Sequence, residues 1–130
     1  MTREVVAPPA LAEAVAATGF SPAVRAGNLL FLTGATGGGP DGAMPDDPAE
    51  QVRNALTKAA TILAEAGGGL EHVVEMTSYH VGLRGHWDAV EPVLRKTLGE
   101  PLPAWTAVEV AGLRRPGAVI ELRLVAHLPR

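Results

Sequence analysis

The chain has 130 residues, no cysteine, and 11 basic against 14 acidic side chains, for a formal net charge of −3. This length predicts a single domain over residues 1–130, and the absence of cysteine excludes disulfides, thiolate chemistry and Cys-ligated zinc and favours a cytoplasmic location. The acidic balance argues against nucleic acid as a partner, and no apolar run approaches the ~20 residues of a membrane span.

The first third of the chain predicts a β-hairpin and a loop. Residues 1–18 are rich in alanine and proline and weakly patterned. Ala23–Ala26 and Leu29–Thr33 predict two strands, joined tightly by a glycine and an asparagine that both tolerate positive φ. The glycine-rich segment 34–47 lacks the residue patterns of phosphate-binding loops, so we interpret it as a plastic surface loop.

A long amphipathic helix is predicted to begin at the end of that loop. Asp47 fits its N-cap, Pro48 its first position and Glu50 the third position of a capping box. Apolar residues then recur at spacings of four and three, which gives one core-facing stripe: Val52, Leu56, Ala59, Leu63 and Ala66. The glycines of Gly67–Gly69 predict its end, because glycine readily adopts the left-handed conformation that follows a helix.

The second half of the chain predicts the remaining elements. A strand is expected over Val73–Val81, and a second helix over Trp87–Leu98, with Pro92 within about its first turn. Two apolar runs, "TAVEV" and "VIELRLVA", then predict two strands that each contain one carboxylate, Glu109 and Glu121. The order β-β-α-β-α-β-β predicts an α+β fold in which the two long helices pack on one face of a mixed sheet.

Three segments, in a fixed order, carry a family resemblance. They are "AVRAGNLLFLTGA", the stretch "DPAEQVRNALTKAATILAEAGGGLEHVVEMTSYH", and "PAWTAVEVAGL" with the apolar strand after it. Together they resemble the RidA (YjgF-like) family of reactive-intermediate deaminases. The resemblance implies a chorismate-mutase-like fold, in which three subunits form a barrel with helices outside and clefts between neighbours. It also implies hydrolysis of enamines and imines, such as 2-aminoacrylate, without a metal or an organic cofactor.

The resemblance assigns several residues to the implied cleft. Glu121 matches the family's glutamate on the last strand, which is expected to hold or activate water, as attack on an imine carbon requires. Thr33 keeps a hydroxyl where the family often has serine. Phe20 replaces a common tyrosine and Ala107 replaces a frequent cysteine, so these two positions lose a polar group.

Two further positions differ from the family in charge. Trp105 stands where deaminating members have an arginine that binds the substrate carboxylate, and an indole cannot make the two charge-assisted bonds of a guanidinium. Glu91 stands where many members have asparagine. A cleft of these two residues with Phe20 and Glu121 would suit a neutral or cationic ligand, since tryptophan faces attract cations. The usual 2-aminoacrylate activity is thereby in question.

Two classes of function stay open at this point. One is an enzyme of the hydrolase type that deaminates enamine or imine metabolites, and the other is a non-catalytic homotrimer that binds a small molecule or a partner. Endoribonuclease activity, which some relatives carry by name, is disfavoured by the acidic charge and by the absence of paired catalytic histidines. The four histidines also lack metal-binding spacing, so no metal site is predicted.

The same residues have structural interpretations. Glu121 would be an outward-facing strand residue with both neighbours in the core. Trp105 would fill a core or an interface, and Glu109 is expected to contact backbone or another subunit. Arg114 and Arg115 fit an exposed turn, with a compensating role in substrate binding as the alternative.

Overall fold

A mixed sheet of seven strands and three α-helices make up the computed structural model, which describes residues 2–130. The strands are β1 (Glu4–Val6), β2 (Ala23–Ala26), β3 (Leu29–Leu32), β4 (Ala35–Thr36), β5 (Val73–His80), β6 (Ala104–Glu109) and β7 (Ile120–His127). The α-helices are α1 (Ala12–Thr18), α2 (Pro48–Glu65) and α3 (Leu83–Leu98), with short 3-10 helices at Pro9–Leu11 and Leu70–His72. The predicted order and the α+β class are confirmed, with β1 and β4 as additional short strands.

The sheet has the strand order β1-β2-β3-β7-β5-β6, and β4 pairs with the free part of β7. β5 and β6 run parallel, because α3 forms the crossover between them, and every other neighbouring pair is antiparallel. β7 is therefore the strand with the most neighbours, which makes it the centre of the sheet.

Only one face of the sheet is covered by helices. Successive side chains of a strand point to opposite faces, and the inward set is almost completely buried, including Leu30, Met76, Ser78, His80, Ile120, Leu122 and Leu124. This set forms one core with the apolar stripes of α2 and α3. The opposite face stays bare: the exposed fractions of Val5, Leu29 and Phe31 are 48%, 37% and 37%. We call it the bare face.

The first long helix follows the sequence prediction at its N-cap and in its apolar stripe, but the capping-box contact expected of Glu50 is not formed within residues 2–130. The Asp47 side chain accepts a hydrogen bond from the Ala49 N–H at 3.1 Å, and Pro48 is the first helical residue. The predicted stripe is buried from Val52 to Leu63. Gly67 follows the helix with a φ of +90°, in the left-handed region.

The second long helix begins one turn earlier than predicted. It starts at Leu83, so Pro92 lies inside the helix and its placement near the first turn was wrong. The cause is long-range: a carboxylate oxygen of Glu109, on β6, accepts a hydrogen bond from the Leu83 N–H at 3.0 Å. An acceptor at a helix N-terminus satisfies an otherwise unpaired donor. The expected backbone contact of Glu109 is thus present.

A buried amide fixes the loops at one end of the sheet. Gln51 on α2 is completely buried, and its Nε2 donates to the carbonyls of Pro45, at 2.7 Å, and Gly117, at 3.0 Å. Its Oε1 accepts from the Val119 N–H at 2.9 Å. A Cβ on Gly37 would lie 2.3 Å from the Gln51 Cα, so glycine is required for this close approach. The segment 34–47, predicted as a plastic loop, is therefore anchored to α2 and contains β4.

We expect the substitution Gln51→Leu to lower the free energy of unfolding by about 3 kcal/mol, because it strands one backbone donor and two backbone acceptors in a buried place. Urea denaturation measures the change. Glu50→Gln, on the exposed side of the same helix, is the matched control and should stay within about 0.5 kcal/mol of the wild type. Equal stability of the two variants would contradict the anchoring role.

No helix within residues 2–130 combines the length and the apolar character needed to cross a membrane.

Candidate functional site

Glu121 lies on the bare face of the sheet, at the N-terminal end of the central strand β7. Its neighbours in register are Thr36 on β4 and Tyr79 on β5. Ile120 and Leu122 on either side of it are fully buried in the core, as the strand alternation predicted. The core therefore fixes the direction in which the Glu121 carboxylate points.

A glycine makes room for that carboxylate. A Cβ added at Gly34 would lie 2.3 Å from the Oε2 of Glu121, closer than any real contact. Because the clash would be with the flexible end of the glutamate, a larger residue at this position would move the carboxylate rather than the backbone. Gly34 thus determines where the carboxylate sits.

Glu121 faces a cleft of about 230 Å³. The lining residues are Phe20, Thr33, Gly34, Thr36, Arg114, Arg115 and Glu121. An adjoining cavity of about 200 Å³ shares most of this lining and extends it to Lys58 on α2. We call the two together the glutamate cleft. It brings together three residues assigned from the sequence, namely Glu121, Thr33 and Phe20.

The hydroxyl of Thr33 has a fixed direction. Its Oγ1 donates a hydrogen bond to the Ser21 carbonyl at 2.6 Å. Since the hydroxyl proton is engaged there, the oxygen is left as an acceptor at the edge of the cleft. A water molecule between Thr33 and Glu121 would find two acceptors, which is the arrangement that orients both of its protons.

The cleft also holds three cations: Arg114 and Arg115, for which the sequence left a role in substrate binding as the alternative, and Lys58, which the sequence did not suggest. The guanidinium carbon of Arg114 lies 5.2 Å from the centroid of the Phe20 ring. Arg115 donates from Nη2 to the Gly42 carbonyl at 2.6 Å. Burial, followed by the charge of Arg115, lowers the pKa of Lys58. The only sequence signal for this cluster was the pair Arg114–Arg115 in a turn, since Lys58 is distant along the chain.

Trp105 lies outside the glutamate cleft. It is adjacent to Met76 in the parallel register of β5 and β6, and so belongs to the helix-covered face. Its indole Nε1 donates to the Ser78 Oγ at 2.8 Å, and its ring lies 5.3 Å from that of Trp87 on α3. The N–H of Trp105 is thus engaged by the protein itself.

The other two assigned residues accompany Trp105 rather than Glu121. Ala107 lines a separate pocket of about 300 Å³ together with Leu83, Arg84, Trp87 and Asp88. Glu91 on α3 forms an ion pair with Arg95 at 3.5 Å, which balances its charge. A single chain therefore divides the six assigned residues into two groups of three. One group surrounds Glu121, and the other lies along β6 and α3.

A buried chain of polar side chains continues from Trp105, and the sequence did not suggest it. The Oγ of Ser78 lies 2.7 Å from the Nε2 of His80, and the Nδ1 of His80 lies 3.0 Å from the Nε2 of His86. The Ser78 oxygen accepts a hydrogen bond from Trp105, so its hydroxyl can donate a hydrogen bond to the Nε2 of His80. His80 then donates from Nδ1 to His86. This order gives every polar atom between the indole and His86 a partner, provided that both histidines are neutral.

The surroundings keep this histidine pair uncharged. Burial, with His86 as the second cause, lowers the pKa of His80 from 6.5 to about 4. Burial also lowers the pKa of His86. His80 is completely inaccessible to solvent, so its ring stabilises the junction of β5 and α3 and does not reach the bare face. Residues 2–130 contain no group of three or more histidine, cysteine or acidic side chains arranged to hold a metal ion.

The lowered pKa makes stability depend on pH with a defined sign. Between pH 6.5 and about 4 the unfolded state binds a proton that folded His80 does not, so the free energy of unfolding falls as the pH is lowered through this range. The loss attributable to His80 is on the order of 3 kcal/mol. We expect His80→Asn to remove this part of the pH dependence in urea titrations, although it lowers stability at neutral pH.

The exposed His127 supplies the control for that measurement. His127→Asn removes an exposed histidine at the end of β7 and leaves the buried pair intact, so the part of the pH dependence that comes from His80 should remain. A wild-type profile parallel to that of His80→Asn would show that the buried pair does not titrate as described.

Comparisons with known proteins find relatives of this chain in sequence and in structure. A sequence model of the family described as "Endoribonuclease L-PSP" matches residues 11–128. The RutC family protein YjgH of Escherichia coli K12 is 32% identical over 111 residues, which cover 85% of this chain and 83% of that protein.

Two solved structures have the same fold over nearly the whole chain. The structure of protein YjgH superposes with a TM-score of 0.89 at 30% identity and covers 100% of this chain and 99% of that chain. Rv2704 of Mycobacterium tuberculosis, a member of the YjgF/YER057c/UK114 family, gives a TM-score of 0.81 at 32% identity, with 98% and 100% covered.

Proposed function

The chain belongs to the YjgF/RidA family, and on that premise we propose that it hydrolyses small enamine or imine metabolites, without a cofactor, in clefts between the subunits of a homotrimer. The observation that carries this proposal is the Glu121 carboxylate, which projects from the N-terminal end of β7 into an open cleft. The carboxylate occupies space that a side chain at position 34 would fill, and no ion pair within residues 2–130 engages the carboxylate.

The division of the assigned residues supports a cleft shared between subunits. Trp105, Ala107 and Glu91 lie on the side of the sheet opposite Glu121, so they can complete its cleft only if a second copy supplies them. The bare face supports such an assembly, because it exposes apolar side chains, among them Val5 and Phe31, that a monomer would leave in water. A three-subunit barrel with its helices outside would cover that face.

The proposed chemistry assigns Glu121 two rounds of proton transfer. In the first round it takes a proton from a water molecule, while the water oxygen bonds to the imine carbon, and gives that proton to the nitrogen, which yields a carbinolamine. In the second round it takes the proton of the carbinolamine hydroxyl and gives it to the same nitrogen. The carbon–nitrogen bond then breaks, and ammonia and a carbonyl product leave. Thr33, whose oxygen is a free acceptor, orients the water.

We expect Glu121→Gln to reduce ammonia release from freshly generated 2-aminoacrylate and related imines by a factor of at least ~100, because the amide cannot accept the proton. A coupled ammonia assay measures the rate, and light scattering checks that the assembly is preserved. Glu65→Gln, on the exposed side of α2, is the control and should retain full activity. Wild-type turnover no faster than buffer would overturn the hydrolytic function.

Gly34→Ala tests the position of the carboxylate without altering its chemistry. The added methyl group occupies the place of the Glu121 Oε2, so the carboxylate must rotate away. We expect activity to fall roughly tenfold or more, as misplacement of a reacting group by about 1 Å does, while the denaturation midpoint changes little. Full activity in this variant would contradict the assigned position of the base.

A non-catalytic ligand-binding trimer is the second candidate, and Trp105 favours it. The family's arginine is absent at this position, and the indole N–H that replaces it is already bound to Ser78. Ligand binding that persists unchanged in Glu121→Gln, with no ammonia released by the wild type, would favour this function.

Endoribonuclease activity, the name carried by the matching family, is not proposed for this chain. The net charge is −3, and His80, half of the histidine pair, is inaccessible to a substrate.

A further inference from the structure

We infer that Arg114, whose guanidinium lies over the ring of Phe20, is the residue of the glutamate cleft that binds the carboxylate of the substrate, from the loop before β7 rather than from position 105. This inference deepens the proposed function and rests on it for the reaction at Glu121. The binding step stands separately, because it follows from the charges and contacts of the cleft.

The first observation is an unbalanced concentration of positive charge. Arg114 and Arg115 line both parts of the cleft, and Lys58 lines the inner one. None of the three takes part in any ion pair found between positions 2 and 130. Burial first, and the charge of Arg115 second, lower the pKa of Lys58. Among the described residues that line the cleft, Glu121 is the one carboxylate, so the cleft has an excess of two positive charges.

The second observation separates the roles of the two arginines. Arg115 is anchored by its hydrogen bond to the Gly42 carbonyl, and its guanidinium packs against Gly38, where an added Cβ would lie 3.0 Å from its Nη1. Arg114 donates no side-chain hydrogen bond to any acceptor within residues 2–130. It is held by the ring of Phe20, an interaction that uses none of its N–H donors. Arg114 therefore has donors available for a ligand, and Arg115 adds to the local field.

The contact between Arg114 and Phe20 gives a physical role to the phenylalanine at position 20. Where the family has a tyrosine, Phe20 offers no hydroxyl, but its exposed ring supports Arg114. A guanidinium can bind a carboxylate through two parallel charge-assisted hydrogen bonds. The cation that Trp105 cannot supply from β6 is thus present on the loop before β7. It lies in the same cleft as the base.

The charge around Glu121 also differs from the sequence expectation of an acidic cleft. Glu91 belongs to α3, on the other side of the sheet, and is paired with Arg95. A carboxylate that enters the glutamate cleft meets a positive potential, whereas a cationic ligand meets repulsion. The structure therefore favours anionic substrates over the neutral or cationic ones that the sequence suggested.

Pyruvate and pyruvamide provide the test, because they share a 2-keto group and differ in the charge of the group beside it. Isothermal titration of the assembled protein measures both dissociation constants in the wild type, Arg114→Gln, Arg114→Lys and Arg53→Gln. Arg53 is an exposed arginine of α2 outside the cleft and serves as the matched control.

We expect Arg114→Gln to weaken pyruvate binding by roughly ten- to a hundredfold and to leave pyruvamide binding unchanged. Arg114→Lys, which keeps the charge but loses the two-pronged geometry, should give an intermediate loss, and Arg53→Gln no loss. Pyruvate binding to the wild type should also weaken as salt is added. Equal affinity of the wild type for the two ligands, no pyruvate binding at millimolar concentration, or an equal loss of both ligands in Arg114→Gln would overturn the subsite.

Glu121→Gln separates this inference from the proposed reaction. With one negative charge removed, that variant should bind pyruvate at least as tightly as the wild type while it no longer releases ammonia. Arg114-dependent pyruvate binding in a wild type that shows no turnover would overturn the hydrolysis and leave the subsite in place. Turnover that is insensitive to Arg114→Gln would overturn the subsite and leave the hydrolysis.

Discussion

The alternation of side chains along β7 is the constraint on which the rest of the structure depends. This strand pairs with three others, and its inward residues, from Ile120 to Ala126, are locked into the core by both long helices. A shift of one residue in its register would exchange the two faces, so the buried set holds every outward residue in place. Glu121 is positioned by this packing rather than by contacts of its own carboxylate, which no ion pair within residues 2–130 engages.

The sequence alone was sufficient to predict those elements whose ends and buried faces are determined by residues close together along the chain. The cap at Asp47, the apolar stripe of α2 and the glycines after it lie within about twenty residues of one another, and each was predicted correctly. The start of α3 was misplaced because its cap is the Glu109 carboxylate, which is far away along the chain. The anchoring of segment 34–47 was missed for the same reason, since the Gln51 side chain joins Pro45 in that segment to Gly117, which is far away along the chain.

The candidate site shows the same division between local and long-range causes. The family resemblance identified Glu121, Thr33 and Phe20, and the structure brings these three together. Composition could not show that an acidic protein concentrates cations at one cleft, because net charge carries no positional information. Nor could residue spacing show that His80 and His86 meet, since one ends a strand and the other lies in the following helix.

The polar chain from Trp105 to His86 also limits which side chains position 105 can hold. The indole N–H donates to Ser78, and Ser78 and His86 are the hydrogen-bond partners of the two ring nitrogens of His80. An arginine at position 105 would place a cation beside Trp87 and beside a histidine that burial keeps uncharged. Exchanging this one residue would therefore disturb the hydrogen bonds of three others, so its identity is coupled to theirs.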